Sequence, residues 1–535
     1  MFPTLATMKK SLLCNAYECS LRCLTQNMKW SSELASVLLV EEPLDCSFMF
    51  TENQVLLTEY DKYLYGKACF ECKEFSRAAN HLKSCTSQPA IFLYYYSRYM
   101  EFEKQKRYKM VDVLDEKSVD EDDFEDLVLL KNDLKKHEDS LDAFGFYLNG
   151  VVLKRISLFK EASESFECAV QMQPMLWCAW QELADLCEDR QILKDLKLPK
   201  HWMCEFFYAY AEMELHMNEE ALSRYQKISL EGFENSTYIK SQIATALYNL
   251  RDFEASVEHF KCLQTMDPYM LDHIDTYSNI LYIHDDRVEL SYLAHRACEV
   301  DKYRAETCGV VGNYYSLRGD HDKAVLYFKQ SLRLNPEYVA AWTLLGHEYI
   351  ELKNTSAAIE AYRHATDVNC RDYRAWYGLG QAYELLKLSK HSLYYFREAQ
   401  RLRPNDTRML IALGDTYQNI EKQSNARKCY LKAVRLGDSE GQATIKLAKL
   451  HESSGQNIEA AKLYSLYIDK MDNHVNATTA DASHACIFVA RYHLRAGRYE
   501  DASTYARKAV DYPESREIAK TLLFEISKIS RSHEI

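Results

Sequence analysis

A chain of 535 residues that is 47% hydrophobic can bury ample apolar surface, yet 66 basic against 79 acidic residues leave it a formal net charge of −13. That balance excludes a general binder of nucleic acid or of anionic membrane, both of which need basic surface. No uninterrupted apolar run reaches 18 residues, and Lys9 and Lys10 interrupt the apolar N-terminal patch, so neither a membrane span nor a signal peptide is expected.

In chain order, residues 11–40 read as two helices, with Leu12, Leu13, Cys19 and Cys23 on one side of the first and Trp30, Leu34, Leu38 and Leu39 in the second. A helix pair follows from Glu59, marked by Tyr65, Gly66, Ala78, Leu82 and Pro89, and then a helix bearing Phe92, Tyr95, Tyr96 and Tyr99. These form an N-terminal segment, 1–108. Between 112 and 126, nine acidic residues oppose only Lys117, so this run of the acidic insertion 109–140 is expected to stay solvated, either as a mobile insertion between repeats or as a docking segment for a basic partner.

Helix pairs resume at Ala143, with Asn149, Gly150, Ala162, Phe166, Ala169 and Pro174. The pair from Trp177 keeps Trp180, Leu183 and Ala184, then loses its second-helix pattern between Asp189 and Lys200, where an irregular helix is expected. Further degenerate pairs open at Trp202, Thr237 and Leu271, completing a region 141–300. A regular array occupies 301–470, a polar loop 471–482, and a last pair with a capping helix and frayed end 483–535.

The regular array carries the architecture. Gly312, Gly346, Gly380 and Gly414 stand 34 residues apart, as do Tyr315, Tyr349, Tyr383 and Tyr417, and only 15 glycines occur in the chain. Numbering units from Ala305, Val339, Tyr373, Thr407 and Gly441, positions 4, 7 and 11 form the apolar face of a first helix. Position 8 is glycine or Ala448. A mid-helix glycine costs about 1 kcal/mol against alanine, so close approach of the second helix must require it. The small residue at position 20 (Ala324, Ala358, Ser392, Ala426, Ala460) is expected against that glycine. Six of nine prolines fall at unit ends, where they stop a helix. The period resembles the tetratricopeptide repeat (TPR). The expected fold is all-α: a TPR α-solenoid, a superhelix of antiparallel helix pairs.

Seventeen cysteines show no disulfide framework, and Cys168, Cys308 and Cys429 fall on packing positions, so reduced thiols and an intracellular compartment are expected. The lone Cys69/Cys72 pair lacks the partners zinc needs. No GxSxG, HExxH or phosphate loop is present, and catalytic residues, metals and cofactors are not expected. Binding is the expected use, on the first helices lining the groove. Positions 2, 5, 9 and 12 are expected to face it: Glu306, Gly309, Asn313 and Ser316, then Ala340, Thr343, His347 and Ile350. Arg374, Tyr377, Gln381 and Glu384 follow, then Arg408, Ile411, Asp415 and Gln418. This mix suits an extended peptide with an arginine, gripped by charge-assisted bonds, and an apolar side chain.

The runs KWSSELA (29–35), FLYYYSRY (92–99), GNYYSLRGDHDKA (312–324), AAWTLLGHEYIELKNTSAAIEAYRHA (340–365), RDYRAWYGLGQAYELLK (371–387) and LRPNDTRMLIALGDTY (402–417) are more specific than the repeat signature. With them the chain resembles the subunit-eight family of the anaphase-promoting complex, or cyclosome. The resemblance implies a non-catalytic scaffold of a ubiquitin ligase that marks cyclins and securin for degradation, acting in nucleus and cytoplasm. It implies a homodimer joined through N-terminal repeats, other complex subunits as partners, and a groove receiving the coactivator C box. It makes Asn313 and Glu348 the arginine contacts, with Tyr314, His347 and Tyr377 nearby. One departure is that no Ser or Thr precedes a proline, which argues against proline-directed kinase control through this chain. The alternative is an independent TPR adaptor presenting peptides to another machine.

Overall fold

The computed structural model describes residues 2–38, 59–109, 122–137, 141–187, 189–438, 441–471 and 479–533. Leu39, residues 110–121 of the acidic segment, and residues 472–478 of the polar loop lie outside them. Every regular element among the described residues is a helix, arranged as successive antiparallel pairs. No helix there is long and apolar enough to cross a membrane. The chain divides into two bodies, Met1–Leu317 and Arg318–Ile535.

Unit boundaries follow the sequence register. First helices begin at Ala305, Val339, Tyr373, Thr407 and Gln442. The helices ending at Met172, Met266, Leu334 and Leu402 each stop two residues before a proline, which can neither donate a backbone hydrogen bond nor let its predecessor stay helical. The starts are capped: Asp372 and Asp406 accept from the backbone N–H of Arg374 and Arg408, and Asn354 from that of Ala357. As expected, the second helix after Trp177 is short, Arg190–Asp195.

The ladder core differs from expectation in one contact. The space over Gly346, Gly380 and Gly414 is filled by the aromatic ring at position 24, not by the small residue at position 20. A Cβ on Gly346 would lie 2.5 Å from the Tyr362 ring, and one on Gly380 2.5 Å from Phe396. Gly378, in the next unit, approaches the other side of Tyr362, where a Cβ would again lie 2.5 Å away. That ring is thus clasped between two repeats, and it is 1% exposed. The same pairing occurs in the first body, where Gly150 meets Phe166. Two packing expectations fail: Tyr65 is exposed and Tyr63 takes the core place, and Cys168 is exposed while Cys308 is buried.

Behind the acidic run the insertion packs onto the fold, while Glu125 and Asp126 are exposed. Asp122–Lys136 is a helix whose Leu127, Leu130 and Leu134 are buried. The i, i+3, i+7 spacing of those leucines outweighs the acidic run before them.

The largest departure lies at the N-terminus. Helices Leu5–Leu21 and Thr25–Val37 fold back onto first helices far along the first body. Trp30 stacks on Trp177, ring centroids 4.9 Å apart, and meets Phe206 and Tyr238 edge-on. The Asn27 side chain accepts from the Cys178 N–H, and Glu33 accepts from the Thr237 hydroxyl (2.6 Å) and the Tyr238 N–H (2.8 Å). Arg22 pairs with Asp142 at 2.7 Å and covers the Phe144 ring.

Candidate functional site

The candidate residues divide between the bodies. Asn313 and Tyr314 belong to the first. Asn313 is 3% exposed, and its amide donates to Ser278 Oγ (2.9 Å) and Asn279 Oδ1 (2.8 Å) on the neighbouring helix Ile274–Ile283. Half-buried Tyr314 packs edge-on against His295. Positions 5 and 9 are therefore not uniformly open, since Gly309, Thr343 and Ile411 are buried as well.

In the second body the row is open. His347, Gln381, Glu384 and Gln418 are exposed, with Tyr377 and Asp415 half-buried between them. Helices Val339–Glu351, Tyr373–Leu385 and Thr407–Asn419 present these groups because positions 9 and 12 lie opposite the faces packed on second helices.

Each polar group has a physical setting. The buried Tyr362 hydroxyl shares a hydrogen bond with His347 Nδ1 at 2.7 Å. Solvent reaches the His347 ring, so its lowering is smaller than full burial would give. The direction follows from the atoms crowded round it and, second, from the positive Arg374. Glu348 is 5% exposed and its Oε2 lies 2.8 Å from His321 Nδ1 on the helix His321–Leu334. His321 was not among the sequence candidates; it stands at position 17 of its unit, outside the groove register.

Glu384 is held above the usual carboxylate range, first by the protein packed round it and then by the negative Asp415, with Lys446 opposing. Asp415 itself accepts from the Tyr430 hydroxyl at 2.6 Å and from Lys446. Burial, and then the bond to that carboxylate, raise the Tyr430 phenol. Tyr377 packs against Phe396 with centroids 5.3 Å apart, giving the row an apolar wall. The arrangement offers two neighbouring carboxylates and an aromatic face, which suits a guanidinium and an apolar side chain. Among the described residues no three His, Cys, Asp or Glu are grouped to hold a metal.

The family described as "Anaphase promoting complex subunit 8 / Cdc23" matches residues 7–244, and tetratricopeptide-repeat families match 305–338, 343–407 and 407–436. Anaphase-promoting complex subunit 8 of Dictyostelium discoideum is 36% identical over 415 residues, 66% of this chain and 70% of that protein. The Arabidopsis thaliana subunit 8 is 43% identical over 300 residues, 56% of this chain and 52% of its own, so the chain spans about half the length of that relative. A solved structure, the APC/C hetero-tetramer Cut9–Hcn1, aligns with a TM-score of 0.52 at 18% identity, covering 88% of this chain and 96% of that one, which supports the solenoid fold. By these likenesses and its repeat architecture, the chain belongs to the anaphase-promoting complex subunit 8/Cdc23 family.

Proposed function

We propose that this chain is a non-catalytic TPR scaffold of the anaphase-promoting complex, a ubiquitin ligase, and that its second body holds the arginine-bearing C box of a coactivator. Family membership supports the scaffold role. The observation that carries the peptide reading is the exposed row His347–Gln381–Glu384, in which Glu384 faces the like charge of Asp415. A guanidinium placed there offsets that repulsion and makes charge-assisted bonds. Tyr377 supplies the apolar wall, and Glu348, hydrogen-bonded to His321, is a second acid for the same peptide. Asn313 and Tyr314 belong to the first body, and the row proposed here is confined to the second. The N-terminal repeats form a homodimer interface, and other complex subunits pack on the remaining surface.

Fluorescence anisotropy on the intact chain tests the site with a C-box-like peptide and its Arg→Gln form. Glu348→Gln with Glu384→Gln is expected to weaken the arginine peptide more than tenfold and leave the glutamine form unchanged. Equal affinity for both peptides overturns the site. Affinity purification tests the scaffold: a cullin-like and a RING subunit should accompany the chain, and their absence favours an independent adaptor.

A further inference from the structure

Three arginines converge on one tyrosine in the second body, where the turn after one repeat meets the first helices of two. Tyr373 and Arg374 open the helix Tyr373–Leu385. Arg403 lies in the turn after Ser389–Leu402, and Arg408 in the first turn of Thr407–Asn419. The Arg403 guanidinium lies over the Tyr373 ring, 4.2 Å from its centroid, and that of Arg374 lies 5.8 Å away.

The two nearby carboxylates cap helices, and one of them also pairs with Arg408. Asp372 caps its helix by accepting from the Arg374 N–H. Asp406 caps the next helix and also holds Arg408 at 3.1 Å. Arg403 makes no ion pair among the described residues, and its Nε is buried without a hydrogen-bond partner. The charge is felt. Burial first, then the like charges of Arg374 and Arg408, lower the Arg403 guanidinium, with Tyr373 and Asp406 opposing. Burial alone would raise the Tyr373 phenol, but Arg374, Arg403 and Arg408 outweigh it and pull it down.

A buried donor left unbonded costs about 1–3 kcal/mol, and planar guanidinium forks match carboxylate and phosphate oxygens. We propose that Arg374, Arg403 and Arg408 around Tyr373 form an oxyanion-binding site that takes an acidic side chain of a partner peptide, carboxylate or phosphate. A peptide fits better than nucleic acid because the chain as a whole carries a net charge of −13. The site stands whether or not the neighbouring row binds arginine, since its charge is opposite.

The test uses the intact chain and three fluorescent decapeptides that differ at one residue: glutamate, phosphoserine or glutamine. Glutamate and phosphoserine forms should bind at least about tenfold tighter than the glutamine form, the range expected of one charge-assisted contact. Phosphoserine binding tighter than glutamate assigns phosphate; equal binding assigns carboxylate. Arg403→Gln with Arg408→Gln should abolish the preference. Equal binding of the glutamine form by the native chain overturns the site. So does a preference retained in a natively folded double variant, or equal competition by an oligothymidylate. Should the double variant fail to fold, Arg403→Lys serves: loss of the fork should cut phosphoserine preference at least about threefold, and an unchanged preference overturns the proposal.

Discussion

The first helices of the two bodies carry the same fold and meet different things. In the first body, Trp177, Phe206 and Tyr238 are covered by the chain's own N-terminal hairpin through Trp30. In the second, His347, Gln381 and Glu384 stand in solvent. The difference is chemical before it is geometric. Where the row meets its own chain it is aromatic, with a few backbone hydrogen bonds to Asn27 and Glu33 fixing the register. Where it is open it is charged, and its charges are set against one another. A solenoid leaves its inner wall free for another segment, and the side chains on that wall indicate what the segment is.

The contrast breaks most visibly at Trp30. Trp30→Ala should cost about 3–5 kcal/mol, the usual range for losing a buried tryptophan. Hydrogen exchange should then show lost protection in Leu5–Val37 with the second body unchanged. A cost under about 1 kcal/mol would mean the hairpin is not held by this stack.

Next is the glycine that receives a ring. Gly380→Ala puts a methyl group 2.5 Å from Phe396, and overpacking of this kind costs about 1–3 kcal/mol. At the equivalent position of a later unit, Ala448→Gly should cost no more than about 1 kcal/mol, by helix propensity alone. Denaturant titration of both variants decides whether position 8 requires glycine wherever a ring closes on it.

A smaller effect has the opposite sign. The residue between paired helices adopts left-handed backbone in successive repeats: Lys353 (φ 58°), Lys387 (φ 59°) and Glu421 (φ 63°), against Gly319 (φ 80°) and Gly455 (φ 73°). A side chain there costs about 1 kcal/mol or more, partly offset by glycine's greater freedom when unfolded. Lys387→Gly should therefore stabilise the chain by about 0.5 kcal/mol, read as a raised denaturation midpoint. A lowered midpoint would contradict the assignment.

The smallest expected effect is in pH. His347 titrates below its unfolded value of about 6.5, so the unfolded chain binds the proton first and stability falls as pH drops from 7 toward 5, while above 7 it is fully present. His347→Gln should flatten that slope by less than about 1 kcal/mol, because solvent screens an exposed ring. A slope unchanged by the substitution would place the titration elsewhere.

Much of this was legible in the chain because a repeat is a local pattern. The 34-residue period, the helix starts at Val339, Tyr373 and Thr407, and the proline stops depend on residues within one turn or one unit of each other. His347, Gln381 and Glu384 could be named as an open row for the same reason. What lay outside that reach was decided by contacts the period does not encode. Glu33 and Thr237 meet across 204 positions, Asn313 turns its amide onto the first helix of the preceding pair, and Leu127, Leu130 and Leu134 anchor a helix behind an acidic run. Arg403 is a turn residue with no place in the groove register, and only the folding of two repeats against one turn sets it over Tyr373. The sequence by itself determined the ladder, since each rung is stabilised by its neighbours in the chain. The tertiary structure alone decided which stretch of the inner wall the protein fills with itself and which it leaves charged and open, because that depends on burial between segments far apart in sequence.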